Sequence, residues 1–199
     1  MTEDQKSHKT IINSTMKYTE NVSVPATKYC IKWEPTARRA YFNENKKFHK
    51  NLKVTETGLH IDKALPFLGA SPDGLVECDC HNPGLLEIKC PFKYQNSLNG
   101  WKGANCSPIG ENGQIRKTHE YYFQMQHQMY VIQGDPMLTS MYGQKGKIST
   151  EHFVTRIEKD DEFCKKLIQK LEKTFLNIIL PEIVSRKNDP NNDQSQKQY

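Results

Sequence analysis

Ser71-Pro72-Asp73-Gly74 and, a little further on, Leu86-Glu87-Ile88-Lys89 are the two stretches that decide the fold of this chain. The second stretch predicts a strand, because it lies in a short, apolar-rich run bounded by proline and glycine. Side chains alternate along a strand, so Glu87 and Lys89 share one face while the apolar residues take the other. The separation of Asp73 from Glu87 suits an adjacent antiparallel strand joined by a loop. We therefore predict that these three charged side chains converge.

Two carboxylates and an ammonium group in one place are typical of a metal-dependent phosphodiesterase site. Carboxylate oxygens suit Mg²⁺ or Mn²⁺, and the ammonium group can meet a phosphate or activate water. Two plainer interpretations stay open at this point. Pro-Asp-Gly turns are common without any function, because Asp and Gly serve turn geometry, and the strand could be an edge strand with a solvated charged face. The apolar neighbours of Glu87 favour a covered position, where charges without partners would be costly.

The two stretches resemble motifs of the YqaJ-like viral recombinase (lambda exonuclease) family, which belongs to the PD-(D/E)xK nuclease superfamily. The likeness includes residues 69–75 and 86–92, and two further segments fit the family in order, 34–41 upstream and 121–130 downstream. Residues 156–183 also resemble the final strand and helix of the family. A lone acid-and-lysine pattern recurs by chance, whereas four ordered blocks are specific.

The resemblance implies an α/β (α+β) fold with a restriction-endonuclease-like core, in which helices flank a central mixed β-sheet. We predict a poorly ordered segment at 1–29, the nuclease domain at 30–183 and a disordered polar tail at 184–199. Relatives usually carry more helical sequence ahead of the block that begins at Glu34. Little helix patterning is visible there in this chain, so we expect a trimmed or partial domain.

Hydrophobic periodicity places the predicted elements along the chain. It predicts helices at 34–48, 118–133 and 160–180, and strands at 54–61, 68–71, 75–78, 85–90, 138–142 and 152–156. Pro35 is expected in the first turn of the first helix, where its missing N–H is tolerated, and Pro181 is expected to stop the last one. Residues 92–117 form a long Gly- and Asn-rich segment, part of which is predicted to be a mobile loop over the site.

The resemblance also implies roles for the converging residues. Asp73 and Glu87 would be catalytic carboxylates and direct metal ligands, and the backbone carbonyl of Ile88 would complete the metal shell. Lys89 would orient or deprotonate the attacking water, or stabilise the charged transition state. The residues alone do not separate these roles of the lysine.

The first helix block supplies two further candidates. Glu34 is either an acid placed favourably at the start of a helix or, by its match to the family's Glu-x-x-Ala-Arg block, a catalytic carboxylate at the metal site. Arg38 follows one turn later, and it either contacts DNA phosphate or is an ordinary surface arginine.

The glutamine-rich helix supplies the remaining candidates. Tyr121, Gln124 and Gln128 fall on one face by their spacing, and the apolar residues of the helix form a core face. Gln124 matches the glutamine that the family places beside the metals, so we predict a catalytic role for it. Tyr121 and Gln126 are weaker candidates, for DNA binding. Gln126 is weaker because it points about 200° away from Gln124 on an ideal helix. His127 has no motif support and is interpreted as a surface or satisfied histidine.

Cys78, Cys80, His81 and Cys90 invite a zinc interpretation. The Cys-x-Cys-His stretch falls in the loop between the two strands of the site. Cys90, however, ends the second strand, far along the chain from that loop, and the spacing is not that of a common zinc module. We therefore do not predict a structural zinc site.

The composition limits the function classes without choosing among them. At 199 residues the chain has the length of one domain, and its net charge of +5 suits a polyanionic partner. No apolar run approaches the roughly 20 residues that span a bilayer, so we expect no membrane partner, and residues 1–21 lack the apolar core of a signal peptide. Six cysteines without an export signal favour reduced thiols. We expect an intracellular protein of the cytoplasm or nucleus.

These features predict a DNA nuclease that uses one or two Mg²⁺ or Mn²⁺ ions and hydrolyses phosphodiester bonds by in-line attack of metal-activated water. The resemblance implies an exonuclease that acts on double-stranded DNA ends in recombination or repair, with a single-strand annealing protein as a further partner. The oligomeric state stays open. The alternatives are a catalytically inactive DNA-binding module and an interaction protein that keeps the fold for stability, and neither needs the acidic cluster.

Overall fold

The computed structural model describes residues 3–19, 24–94, 107–110, 112–133, 137–145 and 149–192. Its helices are α1 (Glu3–Met16), α2 (Pro25–Asn45), α3 (Glu120–Ile132), α4 (Asp161–Thr174) and α5 (Leu180–Ser185). Its strands are β1 (Lys53–Thr55), β2 (His60–Ile61), β3 (Gly69–Ala70), β4 (Gly74–Cys78), β5 (His81–Lys89), β6 (Met137–Lys145) and β7 (Ser149–Ile157). Two compact units result, Val24–Cys164 and a second unit made of the N-terminal segment up to Ser23 and the C-terminal segment from Lys165.

A five-stranded sheet organises the larger unit, and its strands lie in the order β1-β4-β5-β6-β7. Strand β4 pairs with β5 antiparallel, and β5 pairs with β6 parallel. Parallel neighbours need a crossover connection, and helix α3 lies in the chain between these two strands. The sheet is therefore mixed, as predicted, and β5 is its central strand.

The alternation along β5 separates two hydrophobic cores. Leu85 packs with the α3 residues Met125 and Met129 in one core, whereas Leu86 and Ile88 pack with α2 in the other. Because side chains alternate, Glu87 and Lys89 lie on the same face as Leu85, which is the face that α3 covers. The predicted division of this strand into a charged and an apolar face is confirmed, and helices cover both faces of the sheet.

Helix α2 begins earlier than predicted and contains a proline in its interior. It starts at Pro25, which occupies the first turn, and Pro35 lies inside the helix. Interior proline loses one backbone hydrogen bond, but Pro35 is exposed and the packing of Ala37 and Tyr41 holds the helix together. The expected start at Glu34 was therefore wrong, because two prolines carry the same start signal and only packing chooses between them.

The other elements follow the predictions with local differences. The single strand expected at 54–61 is divided into β1 and β2, which belong to different sheets, and β2 pairs with β3. Strands β6 and β7 are longer than predicted and pair along their whole length. Helix α3 begins after His119, whose Nδ1 accepts a 3.1 Å hydrogen bond from the backbone N–H of Tyr121. Residues 95–106 and 111 of the expected loop lie outside the described residues. Ile109 and Ile115, at its C-terminal end, are buried in the core that contains Met125 and Met129, so this part does not form the expected mobile loop.

The smaller unit contains the helix α1 in a segment that we expected to be poorly ordered. Helix α4 passes into a π-helical turn at Phe175–Ile179, and Pro181 lies in the first turn of α5, so it does not stop the helix. Glu182 is buried and accepts hydrogen bonds from Tyr18 (3.1 Å) and from the backbone and side chain of Asn188 (2.9 and 2.6 Å). The predicted polar tail therefore begins with structured residues, and residues 193–199 lie outside the described part of the chain.

Across the described part of the chain, none of the helices has the length and apolar character needed to cross a bilayer.

Candidate active site

Asp73 is fixed directly before β4 by the strand that carries the other acidic residue. Gly74 pairs with Leu86, which places the Asp73 turn beside Glu87, and Oδ2 of Asp73 accepts a 2.6 Å hydrogen bond from the backbone N–H of Ile88. Burial, reinforced by the negative charge of Glu87, raises the pKa of Asp73 to about 7. The antiparallel arrangement expected from the spacing of the two acids is confirmed.

Glu87 lies deep in the unit and its carboxylate is surrounded by donors. Only 3% of the residue is exposed. Its Oε1 accepts hydrogen bonds from Lys89 Nζ (2.6 Å) and Gln124 Nε2 (2.7 Å), and its Oε2 accepts from Gln128 Nε2 (2.9 Å). A buried carboxylate is tolerated only with such partners. Helix α3 thus supplies two of the three donors that let a charged residue occupy the central strand.

Lys89 contacts Glu87 and also two residues of α3. Its Nζ also donates a 2.8 Å hydrogen bond to Gln124 Oε1 and lies 4.6 Å from the centre of the Tyr121 ring, a cation–π distance. Burial alone would lower the pKa of Lys89, but the charge and the hydrogen bond of Glu87 outweigh it, and the pKa is raised. The lysine side chain is 16% exposed, against 4% for Glu87, so it is the more accessible of the two.

Arg38 connects helix α2 to the Asp73 turn. Its Nε donates a 2.8 Å hydrogen bond to the backbone carbonyl of Asp73, and its two terminal nitrogens pair with Glu34 (2.5 Å) and Glu56 (3.1 Å). The guanidinium bonds three acceptors within the protein, so Arg38 is not an ordinary surface arginine, and its predicted contact with DNA phosphate stays a prediction. The fork geometry of arginine suits such simultaneous contacts.

Glu34 lies beside the acidic pair but not at a helix start. It is well inside α2, so the favourable helix-start placement that we considered does not apply. Its negative charge contributes to raising the pKa of Asp73. Arg38 bonds both Glu34 and the Asp73 carbonyl and so holds Glu34 close to the Asp73 turn. The predicted metal-site role of Glu34 stays a prediction.

Gln126 faces away from the site, as the helix geometry indicated. It is fully buried. Its amide donates to the backbone carbonyl of Glu158 at 2.9 Å and accepts from the backbone N–H of Asp160 at 2.8 Å. This position contradicts the predicted DNA contact, and Gln126 instead fastens the connection between β7 and α4 to α3.

Two contributors to the site, Gln128 and Glu56, are not among the candidates that the sequence predicts. Gln128 was placed on the correct helical face but given no role, although its spacing from Gln124 was the signal that it also reaches Glu87. No sequence pattern indicated Glu56, because it pairs with Arg38 only through the path of the chain after β1.

His127 was expected to be exposed or to have a hydrogen-bond partner. Its Nε2 is instead buried and has no hydrogen-bond partner among the described residues.

The donor set suits a hard divalent cation. The carboxylates of Asp73 and Glu87 lie next to each other at strand β5, whose backbone carbonyls are further oxygen donors. Mg²⁺ and Mn²⁺ prefer oxygen ligands. Like charges held together in a buried place are relieved by a cation. Gln128 Oε1, next to Glu87, is also buried without a hydrogen-bond partner among the described residues, so the site has an unused polar atom.

The mixed sheet with an acid–acid–lysine site at its central strand defines a restriction-endonuclease-like fold. Within that class, the chain belongs to the YqaJ-like viral recombinase domain family, whose profile matches residues 2–141. The match begins well before the expected domain start at residue 30 and includes both α1 and α2. Residues ahead of Glu34 are therefore part of the region that the family shares.

A curated viral protein is also similar to part of this chain. An alkaline nuclease of Orgyia pseudotsugata multicapsid polyhedrosis virus is 25% identical over 130 residues, which make up 57% of this chain and 30% of that protein. The chain spans less than a third of the length of the curated relatives that it matches.

Solved structures match over more of the chain. The alkaline exonuclease LHK-Exo from Laribacter hongkongensis aligns with a TM-score of 0.67 at 27% identity, covering 94% of this chain and 88% of its own. LHK-Exo in complex with dAMP aligns with a TM-score of 0.67 at 26% identity, covering 94% of this chain and 86% of its own.

Proposed function

We propose that this protein is a metal-dependent deoxyribonuclease, an exonuclease that digests linear duplex DNA from its ends in recombination or repair. One observation carries the proposal: Asp73 and Glu87 meet at the central strand with Lys89 and Gln124 hydrogen-bonded to the same carboxylate oxygen. The family membership and the likeness to an alkaline exonuclease support it. The likeness to an exonuclease structure that holds dAMP also supports a nucleoside monophosphate as the released product.

Asp73 and Glu87, with the backbone carbonyl of Ile88 and with Glu34 nearby, are the residues that would hold Mg²⁺ or Mn²⁺. A bound cation would supply positive charge for the phosphodiester in the transition state and lower the pKa of water. The protein's own contribution is to hold the carboxylates rigidly. The Ile88 N–H fixes one of them and Gln128 fixes the other, and rigid placement of this kind is what catalytic geometry needs.

Lys89 and Gln124 form the accessible side of the site. The ammonium group of Lys89 can stabilise charge that develops on the phosphate, and Gln124 Oε1 holds the group in place by accepting a hydrogen bond from it. Tyr121 packs beneath the same ammonium group and limits its movement. Arg38, on α2, acts indirectly. It bonds the Asp73 carbonyl and Glu34 and so positions the carboxylates of Asp73 and Glu34.

DNA would be bound mainly through its phosphates, so we expect binding to weaken steeply with salt. Digestion of one strand of a duplex leaves the other strand single. A single-strand annealing protein is accordingly the class of partner that would use this product.

The test is digestion of linear, 5′-phosphorylated duplex DNA in Mg²⁺, with EDTA and with a Lys89→Ala variant. Lys93→Ala is the matched control, because Lys93 is a nearby exposed lysine outside the site. We expect metal-dependent shortening from the ends that is lost in EDTA and in Lys89→Ala and kept in Lys93→Ala. A circular duplex of the same sequence distinguishes attack at ends from internal cutting.

Failure has a distinct signature. If the wild-type chain binds the duplex in a gel-shift assay but leaves it intact with either Mg²⁺ or Mn²⁺, it is a DNA-binding module with a nuclease fold. If it neither binds nor digests the duplex, the proposed function is wrong and the interaction-protein alternative takes its place.

A further inference from the structure

Four side chains outside the active site meet where β4 turns into β5. Cys78 ends β4, Cys80 lies in the turn, and His81 begins β5, while His49 arrives from the turns that follow α2. Their ligating atoms all lie within 4.8 Å of one another. We call these four residues the hairpin cluster: His49, Cys78, Cys80 and His81. It differs in two residues from the group considered in the sequence, Cys78, Cys80, His81 and Cys90, because it contains His49 and lacks Cys90.

Cys90 has a different neighbour. It is buried at the far end of β5 in contact with Cys30 of α2. The objection raised by the sequence, that Cys90 lies far from the Cys-x-Cys-His loop, was therefore correct. It does not count against a metal site, because His49 provides the fourth ligand in its place.

Four of the six ligand-to-ligand distances in the hairpin cluster match the edges of a zinc tetrahedron, and the other two are within 4.8 Å. With Zn–S bonds of about 2.3 Å and Zn–N bonds of about 2.05 Å, tetrahedral geometry puts two sulfurs about 3.8 Å apart and a sulfur and a nitrogen about 3.6 Å apart. The two sulfurs are 3.6 Å apart. Cys78 Sγ lies 3.7 Å from His49 Nδ1 and 3.6 Å from His81 Nδ1, and Cys80 Sγ lies 3.8 Å from His49 Nδ1.

Neither a disulfide nor a chance contact accounts for these distances as well as a metal site does. A disulfide needs its sulfurs about 2.05 Å apart, and both cysteines are free thiols at a much longer separation. Chance contact of flexible side chains would not direct both imidazole Nδ1 atoms at one sulfur atom. Thiolate and imidazole ligands also select against Mg²⁺ and Ca²⁺, which prefer oxygen, and favour zinc.

The backbone around the hairpin cluster is held in place by contacts that need no metal. The backbone N–H of Asp79 donates a 3.0 Å hydrogen bond to the carbonyl of Lys50, and the Asn51 amide donates a 2.8 Å hydrogen bond to Asp79 Oδ2. These bonds join the segment that carries His49 to the turn that carries Cys80. A site whose ligands are already brought together binds metal at a smaller entropic cost.

We propose that the hairpin cluster binds one zinc ion in a structural role. Four protein ligands of the Cys₂His₂ type fill a tetrahedral shell and leave no position for a substrate. The ion would fasten the end of α2 to the β4–β5 hairpin, the same two elements whose other residues form the candidate active site. Five residues at about 3.3 Å each separate Cys78 from Asp73, so these two residues lie roughly 16 Å apart along the strand.

Zinc content of the full chain, purified without metal-affinity resin and measured by mass spectrometry of the element, tests the proposal. We expect one zinc per chain in the wild type and its loss in Cys80→Ser and His81→Asn, whose side chains are exposed and whose replacement leaves the core untouched. Cys30→Ser is the matched cysteine control and should keep the zinc. Asp73→Asn should also keep it, which distinguishes this site from the candidate active site.

A second measurement does not depend on any variant. Zinc-free wild-type protein titrated with Co²⁺ should show thiolate-to-cobalt charge-transfer absorption and tetrahedral d–d bands, saturating at one ion per chain. Absence of zinc together with absence of the thiolate band would overturn the proposal. Zinc that persists in both cluster variants, or that disappears in Asp73→Asn, would overturn it equally. None of these readings depends on whether the chain digests DNA.

Discussion

Gln128 donates a 2.9 Å hydrogen bond to Oε2 of Glu87, and both side chains are buried. A residue of α3 thereby holds one oxygen of a charged group on the central strand, while Lys89 and Gln124 hold the other. Gln128 donates with one end of its amide, and the other end, Oε1, is buried without a partner among the described residues. The bond makes Gln128 a positioning residue for Glu87, and its contribution to stability and to digestion can be measured.

We predict that Gln128→Leu, which keeps the size of the side chain and removes the donor, lowers stability by about 1–3 kcal/mol, because a buried carboxylate oxygen loses its partner. Metal-dependent digestion should fall by roughly 10- to 100-fold, as is typical when a group that orients a metal ligand is lost. Urea denaturation and DNA digestion measure the two effects. Gln169→Leu, at an exposed position of α4, is the control and should change neither.

Gln124 and Gln126 should respond in opposite ways to the same substitution. Gln124 is exposed and bonds Lys89 and Glu87, so Gln124→Leu should lower digestion by roughly 10-fold or more with little change in stability. Gln126 is buried and bonds two backbone groups, so Gln126→Leu should cost about 1–3 kcal/mol of stability while the folded protein keeps its activity. Urea denaturation and digestion per folded molecule measure both. Equal activity losses in the two variants would contradict this division.

Several parts of the site that the sequence revealed depend on local periodicity, whereas Asp73 was indicated by its turn and Glu34 by its match to a family block. Glu87 and Lys89 share a face because a strand alternates with period two, and Gln124 and Gln128 share a face because a helix repeats every 3.6 residues. The same helix geometry placed Gln126 on the opposite side, and only its position in a family motif suggested a DNA contact. Where the motif and the geometry disagreed, the geometry was correct.

The parts that the sequence did not reveal depend on contacts distant along the chain. His49 meets Cys78 only because the turns after α2 pass the end of the β4–β5 hairpin, and no local pattern encodes that meeting. The start of α2 at Pro25 was hidden for a related reason, since Pro25 and Pro35 give the same local signal. Helix α1 is polar, and its formation goes with its contact to the π-helical turn after α4. Tertiary packing commonly overrides propensity in this way.

Arg38 should matter through its geometry rather than its charge. We predict that Arg38→Lys, which keeps the charge, lowers digestion by roughly 10-fold or more, because the three bonds come from three separate nitrogens of the guanidinium and lysine has one nitrogen to place among the Asp73 carbonyl, Glu34 and Glu56. The Mg²⁺ concentration needed for half-maximal digestion should rise in the same variant, since the Asp73 turn is less firmly held.

Arg39 provides the matched control for this substitution. It is the next residue of α2 and is exposed, so Arg39→Lys should leave both the digestion rate and the Mg²⁺ requirement unchanged. If Arg38→Lys instead behaves like Arg39→Lys, the contacts of Arg38 do not position the site. If Arg38→Lys changes only the salt dependence of DNA binding, its role is contact with DNA.

His127 should make the protein less stable in mild acid. Burial lowers the pKa of His127 below its ordinary value, and its Nε2 is buried without a partner in the described part of the chain. The unfolded chain therefore binds a proton at a higher pH than the folded protein does, and the free energy of unfolding falls as the pH drops through the ordinary histidine pKa of about 6.5 toward the lower folded value.

We predict that His127→Phe removes this contribution, because phenylalanine keeps the ring and does not titrate. Urea denaturation at about pH 7.5 and about pH 5.5, on either side of the ordinary histidine pKa, measures the free energy of unfolding of both proteins. The stability of the wild type relative to the variant should be lower at the acidic pH. His8→Phe, at an exposed position of α1, is the control and should follow the wild type. An identical pH dependence in wild type and His127→Phe would mean that the folded and unfolded chains protonate this histidine alike.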